Sequence, residues 1–130
     1  VGVAAGAFDM TTTYRKQRKQ FGQLIGEFQA LQHRAAHLYS ELEIARACVI
    51  KAQQLLDAGS EKADLMVSVA KAKAGKAAGL AVKEGVQMHG GIGMTDEYDI
   101  GLYMKRDRAL AEFMGDMYYH ADRVARLSGY

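Results

Sequence analysis

The sequence predicts an all-α fold, an up-and-down bundle of four main helices. Its 130 residues include no proline, the residue that most strongly interrupts a long helix. Alanine, leucine, lysine, glutamine and methionine, which all favour helices, are plentiful. Hydrophobic residues recur at helical spacings, and strand-like alternation never persists for more than a few residues. The length suits one helical-bundle domain with one core, covering residues 1–130.

The composition narrows the classes of function. A hydrophobic content of 49% with 25% charged residues is typical of a globular protein. The net charge of +2 gives no reason to expect a nucleic-acid partner. No run of about 18 apolar residues is present, so no membrane-spanning helix is expected. The single cysteine, Cys48, excludes an internal disulfide and indicates a reducing compartment.

The first helix is predicted from residue 1 to about residue 19. Its apolar positions form one stripe: Val3, Ala7, Phe8, Thr11 and Tyr14. Gly22 follows Phe21 and is expected to end the helix or begin a turn. Residues 23–26 are then a short connector to the second helix.

The second helix carries the clearest periodic signal in the chain. Apolar residues alternate in steps of four and three along a heptad-like seam: Leu31, Ala35, Leu38, Leu42, Ala45, Val49, Ala52 and Leu56. Such a seam is typical of a helical bundle or a coiled coil. Residues 57–60 interrupt it, with Gly59 as the expected C′ residue and Ser60 as the expected N-cap of the next helix.

The third helix is predicted from Glu61 to about Met88, at the centre of the bundle. Its stripe consists of small residues that let neighbouring backbones approach closely: Ala70, Ala74, Ala77, Ala81 and Gly85. Three glycines within residues 90–93 must end this helix.

A fourth helix is predicted from Asp99 to about Met114. Gly115 interrupts it, and residues 116–127 form a further helical piece that Asp116 is expected to cap.

Helical bundles often hold metal ions between their helices, so a metal site is one functional hypothesis. The sequence lacks the paired Glu-x-x-His pattern of di-iron bundles. His33, His37 and Glu41 share one helix face and have a spacing that can bind a single metal ion. Because the apolar seam runs beside them, a solvated face is the preferred interpretation, and no metal is predicted.

A set of polar and glycine motifs gives a more specific signal. A basic cluster, which usually marks a solvated helix end, comprises Arg15, Lys16, Arg18 and Lys19. The motifs, in chain order, are Arg18-Lys19-Gln20-Phe21-Gly22, then Gln29, then Gln87-Met88-His89-Gly90-Gly91-Ile92-Gly93, then Glu97-Tyr98. The glycine run does not follow a strand, so it is no dinucleotide-binding βαβ fingerprint. Its physical use is to expose backbone amides to an anion.

In this order and spacing, the motifs resemble the C-terminal domain of the acyl-CoA dehydrogenase family, over essentially the whole chain. The resemblance implies a four-helix bundle at the end of a longer flavoenzyme whose substrate is an acyl-CoA. It also implies homodimers or homotetramers, in a bacterial cytoplasm or the mitochondrial matrix. In the family, FAD lies between this bundle and the preceding domains and reaches a neighbouring subunit.

Carried over residue by residue, the resemblance implies a set of FAD contacts. Arg18 would pair with the pyrophosphate through its forked donors. Phe21 and Gln29 would line the adenosine end. Gln87 and the backbone of the next four residues would hold the ribose and phosphate region; these four are Met88, His89, Gly90 and Gly91.

The sequence departs from the family at the catalytic base. The implied reaction is α,β-dehydrogenation of an acyl-CoA thioester, in which a carboxylate takes the α-proton. Many members carry a Glu at a position that here falls on Met114, or on Gly115 if one residue is inserted, and neither can take a proton. Three explanations remain, in order of preference: a base upstream of Val1, a silent subunit paired with a competent one, or substitution by Asp116 or Glu112. The alternative to an enzyme is therefore a non-catalytic bundle that serves oligomerisation in a heteromeric complex.

Overall fold

The computed structural model describes residues 1–130 and is all-α apart from one small hairpin. The helices are α1 (Gly2–Arg15), α2 (Gln29–Asp57), α3 (Ala63–His89), α4 (Ile100–Glu112) and α5 (Met117–Leu127). The hairpin pairs strands β1 (Lys19–Gln20) and β2 (Gln23–Leu24), and single 3₁₀ turns occupy Ile25–Glu27 and Gly90–Met94. The predicted all-α bundle is confirmed. None of its helices combines the length and hydrophobicity that crossing a bilayer requires.

Helix α3 is the centre of the bundle and contacts each of the other four helices. Its small residues Ala77, Ala81 and Gly85 are buried, as the small-residue stripe predicts. The core cluster joins α1, α2, α3 and α4 and consists of Ala4, Ala7, Leu38, Leu42, Ala78, Ala81, Val82 and Ile100. Half of these residues are alanines, so the helix backbones approach closely around a few large side chains.

The heptad-like seam of α2 is buried through the middle of the helix. Leu38, Leu42, Ala45 and Ala52 are all buried. Leu56, at the same register, is 54% exposed, so the prediction is wrong at this end of the seam. Leu56 is the penultimate residue of α2, where the turn to α3 leaves this side of the helix uncovered.

The turn between α2 and α3 follows the predicted chemistry closely. Gly59 has φ +60°, its N–H donates to Leu56 O at 3.0 Å, and Ser60 N–H donates to Leu55 O at 3.0 Å. This pair of bonds is the Schellman motif, so Gly59 is confirmed as the C′ residue. The N-cap of α3 is Lys62 rather than Ser60, and α3 begins two residues later than predicted. Ser60 Oγ instead accepts the N–H of Lys62 at 3.3 Å.

The prediction that the first helix reaches residue 19 is wrong. Helix α1 ends at Arg15, and the chain then turns back on itself in the β1–β2 hairpin. Phe21 and Gly22 form its tip with φ +54° and +80°, the type I′ geometry that matches the twist of paired strands. The basic cluster is therefore divided. Arg15 is buried at the end of α1, while Lys16, Arg18 and Lys19 are exposed.

Helices α4 and α5 take the place of the predicted fourth helix and its further piece. Helix α4 ends at Glu112, two residues before the predicted Met114. Met114 and Gly115 follow with φ +59° and +96°. Asp116 Oδ1 accepts the N–H of Tyr119 at 2.7 Å, which confirms Asp116 as the N-cap of α5. Arg123 docks α5 on α3 by donating to Ser68 Oγ at 2.6 Å.

Candidate cofactor-binding cleft

One cleft of about 480 Å³ lies among the hairpin, the first turns of α2 and the C-terminal end of α3. Its lining residues are Tyr14, Arg18, Gln20, Phe21, Ile25, Phe28, Ala30, Leu31, Arg34, Gln87, Met88, His89, Gly90, Gly91 and Ile92. Seven of the eight sequence-predicted cofactor-binding residues are in this set. The exception is Gln29, which is exposed at the start of α2 and does not line the cleft.

The hairpin side of the cleft is apolar. The rings of Phe21 and Phe28 meet edge to face with centroids 6.1 Å apart, beside Ile25 and Leu31. Phe21 is 91% exposed although its backbone adopts a left-handed conformation that costs a bulky residue free energy. A strained, uncovered aromatic side chain at a cleft is typical of a ligand contact.

The charged groups of the cleft have one sign. Arg18 and Arg34 are its only lysine or arginine residues, and no aspartate or glutamate lines it. They come from different elements, since Arg18 precedes β1 and Arg34 lies in the second turn of α2. The cleft therefore suits an anionic ligand that also carries an aromatic ring.

The back of the cleft is a compact aromatic cluster around His89. The His89 ring stacks on Tyr14 with centroids 4.3 Å apart, and Tyr98 packs edge-on against Tyr14 at 5.3 Å. Nδ1 of His89 lies 2.7 Å from Gly85 O, and because a carbonyl only accepts, Nδ1 carries the proton. The ring is 4% exposed and its Nε2 is buried without a partner in the chain. The cluster holds His89 in place and leaves its Nε2 unsatisfied.

The glycines after α3 fall into two kinds. Gly90, at φ +67°, and Gly91 would meet nothing within 4 Å if they carried a Cβ, so their backbone is open on the cleft side. At Gly93, a Cβ would lie 2.9 Å from His89 Cβ and 3.0 Å from Val86 O. Gly93 is thus required for packing, whereas the first two glycines leave the main chain accessible.

The candidate acids lie elsewhere, along a second groove of about 510 Å³ between α3 and α4. Met114 and Gly115 offer no carboxylate, and the carbonyl of Met114 accepts a hydrogen bond from His120 Nε2 at 2.9 Å. Asp116 is occupied as the N-cap of α5, and Glu112 is exposed at the end of α4.

Asp107, another acid in this groove, is not among the candidate bases predicted from the sequence. Burial raises the pKa of Asp107, and the nearby charges of Lys83 and Lys71 only partly oppose that shift. In the unfolded chain the carboxyl of Asp107 has its ordinary pKa. Its ionisation therefore costs more free energy in the folded state than in the unfolded state. The folded state therefore loses stability as the pH rises from the ordinary carboxyl pKa through the raised pKa of Asp107.

We expect Asp107→Asn to be more stable than the unsubstituted protein at pH 7, because an amide needs no ionisation in this partly buried place. At a pH below both pKa values, where Asp107 is protonated, the two proteins should have nearly equal stabilities. Urea unfolding at the two pH values tests this. A variant that is less stable at pH 7 would show that attraction to the lysines outweighs the desolvation of Asp107.

The possible metal-binding residues on α2 do not form a site. His33 and His37 are exposed, and no three side chains of His, Cys, Asp or Glu converge on one point. Lys73 Nζ donates to Glu41 Oε2 at 3.1 Å. This bond holds the pKa of Glu41 below its usual value. Glu41 thus has an ion-pair partner on α3, and its side chain is only 18% exposed, so the predicted face is solvated at His33 and His37 but partly buried at Glu41.

The fold and the cleft define a class of protein: an antiparallel helical-bundle domain with an electropositive, half-apolar cleft at one end. The family model for the acyl-CoA dehydrogenase C-terminal domain matches residues 1–128. The chain belongs to this family, as the sequence motifs predict.

Three relatives illustrate the similarity. The chain is 40% identical over 115 residues to acyl-CoA dehydrogenase IpdE2 of Mycolicibacterium smegmatis, covering 88% of this chain and 35% of the relative. The ChsE4–ChsE5 complex from Mycobacterium tuberculosis contains a chain that matches with a TM-score of 0.91 at 26% identity, over 99% of this chain and 35% of that one. An FAD complex of PigA matches with a TM-score of 0.90 at 25% identity, over 97% and 33%. The chain spans about a third of the length of each of these relatives.

Proposed function

We propose that this chain is the FAD-contacting, subunit-joining domain of an FAD-dependent acyl-CoA dehydrogenase that carries out α,β-dehydrogenation of an acyl-CoA thioester as a full-length protein. The observation that carries the proposal is the cleft, which groups Arg18, Phe21 and the Gln87–Gly91 segment without any carboxylate. Family membership and the structural likeness to an FAD complex support it.

The residues of the cleft fit the adenosine diphosphate part of FAD. Arg18 offers forked donors that match phosphate oxygens, and the open backbone at Gly90 and Gly91 lets an anion approach main-chain amides. Phe21 and its apolar neighbours suit an aromatic base. The unsatisfied Nε2 of His89 would gain a partner from a bound polar group.

The domain's part in the reaction is to bind and orient. FAD, held by Arg18 and the Gln87–Gly91 segment, would supply the redox chemistry of the dehydrogenation. The base that takes the α-proton is proposed to lie outside these residues, upstream in the polypeptide. Met114 and Gly115 carry no acid, and Asp116 would have to leave its N-cap to act.

A homodimer or homotetramer is the proposed assembly. Large apolar side chains lie exposed along α2: Tyr39, Ile44, Ile50 and Leu56. Association would cover such side chains, and the family resemblance implies that residues of one subunit would then reach the cofactor of another. The proposed compartment is a bacterial cytoplasm or the mitochondrial matrix, which suits the lone reduced Cys48.

The second candidate is a non-catalytic subunit of a heteromeric acyl-CoA dehydrogenase. The missing acid at Met114 and Gly115 favours it, and the related ChsE4–ChsE5 protein was solved as a complex of two different chains. Assays of the full-length protein with a panel of acyl-CoA thioesters and a dye acceptor separate the two candidates. Activity of the protein alone supports the first, and activity only with a co-encoded partner supports the second.

Arg18→Ala tests the cofactor contact directly. Hydrogen bonds to a charged group contribute about 1.5–3 kcal/mol, so the variant should bind FAD about 10- to 150-fold more weakly. Flavin fluorescence on titration into the deflavinated full-length protein measures the dissociation constant. Lys16→Ala is the control, because Lys16 is an exposed neighbouring cation that does not line the cleft. Equal affinities in both variants would contradict the role of Arg18.

A further inference from the structure

Arg34 is a cation of the cleft that belongs to none of the sequence motifs. It lies on α2, one helical turn beyond the lining residues Ala30 and Leu31. Its Nε donates to Glu84 Oε2 at 2.7 Å, across to α3. Glu84 precedes Gln87 by one turn. The ion pair therefore joins the two helices that form the walls of the cleft.

The pair is arranged with the guanidinium on the cleft side. Arg34 lines the cleft, whereas Glu84 does not and is the less exposed partner, with side-chain exposures of 42% and 18%. Only Nε of Arg34 is used in this contact, so both terminal amino groups have no hydrogen-bond partner in the chain. A guanidinium held in this way loses less conformational freedom when it binds a ligand.

The proposed ligand carries enough negative charge to bind more than one cation. A diphosphate diester carries two negative charges, and Arg18 can neutralise one of them. The only other lysine or arginine that lines the cleft is Arg34. Because Arg18 and Arg34 come from separate elements, they can approach one anion from different walls.

We propose that Arg34, braced by Glu84, is the second diphosphate-binding residue of this cleft and positions the adenosine diphosphate part of FAD between α2 and α3. This inference rests on the proposed function, since it assumes that the cleft takes the cofactor. The competing role is structural: Arg34 would only tie α2 to α3 and would make no contact with the ligand.

The test compares Arg34→Ala, Glu84→Gln and the matched control Arg46→Ala in the deflavinated full-length protein. Arg46 also lies on α2 and pairs with an acid, Glu43, but does not line the cleft. The dissociation constant for FAD is measured by flavin fluorescence at low and high salt, together with the thermal midpoint without flavin.

We expect Arg34→Ala to weaken FAD binding about tenfold to a hundredfold and to reduce the salt dependence of the dissociation constant. Glu84→Gln keeps the cation, so its loss of FAD affinity should be several-fold smaller than that of Arg34→Ala. Arg46→Ala should have the same dissociation constant for FAD as the unsubstituted protein. Equal losses of affinity and of thermal midpoint in Arg34→Ala and Glu84→Gln would overturn the inference in favour of the structural role. If Arg18→Ala impairs binding but Arg34→Ala does not, the inference fails and the proposed function stands. If the unsubstituted protein binds no FAD, both fail.

Discussion

Leu38→Ala should lower the free energy of unfolding by about 2–5 kcal/mol. Leu38 is 1% exposed and is, with Ile100, one of the two largest fully buried side chains in the bundle. It packs in the core cluster with Ala4 and Ala7 of α1 and Ala78 and Ala81 of α3. Short alanine side chains on rigid helices cannot move into a cavity, so the void left by the substitution would stay open.

Leu56→Ala is the matched control for Leu38→Ala. Both leucines occupy the heptad-like seam of α2, yet Leu56 is 54% exposed and loses little burial when shortened. Its expected cost is within about 0.5 kcal/mol. Urea unfolding followed by far-UV circular dichroism measures both values. Similar losses in the two variants would mean that the seam is buried along its whole length, contrary to the structure.

Gly85→Ala should destabilise the protein by about 1–3 kcal/mol, although alanine is the better helix former. An added Cβ would lie 2.6 Å from Ile100 Cδ1 and 3.0 Å from Thr11 Oγ1. Ile100 is fully buried, and Thr11 Oγ1 is anchored to Ala7 O by a 2.7 Å hydrogen bond. Neither neighbour can yield without disturbing the packing of α1 and α4 on α3.

The same substitution ten residues earlier in α3 should have the opposite sign. A Cβ at Gly75 would meet nothing within 4 Å, so Gly75→Ala gains helix propensity without a clash. The expected stabilisation is about 0.5–1 kcal/mol. The opposite signs are tested by comparing the unfolding midpoints of Gly85→Ala and Gly75→Ala under one set of conditions. A stabilising Gly85→Ala would show that α4 can move away from α3 at little cost.

Some of the residues that line the cleft were predictable from the sequence. Arg18, Phe21 and the Gln87–Gly91 segment were predicted from motifs that together resemble the acyl-CoA dehydrogenase family, and the structure brings them to one cleft. Gln29 is exposed at the start of α2 and does not line this cleft, so its predicted contact with FAD stays a prediction. Arg34 was missed because its partner, Glu84, is 50 residues away along the chain. Only the packing of α2 on α3 reveals that pair.

The hairpin shows a second limit of sequence patterns. Two-residue strands are too short to carry alternation, so residues 16–19 were assigned to the preceding helix. The signal that remained was Gly22 after Phe21, which predicted a turn but not its type. The consequence is functional, because the hairpin carries Phe21 to the edge of the cleft.

By itself, the sequence determined the features that depend on near neighbours along the chain. Helix periodicity, the Schellman turn at Gly59 and the N-cap at Asp116 need only residues within one or two turns. The tertiary structure alone decided which of two equivalent leucines is buried and which of two helical glycines is required for packing. It also decided which arginines share a cleft, because side chains from separate helices meet only when α1, α2 and α4 pack on α3.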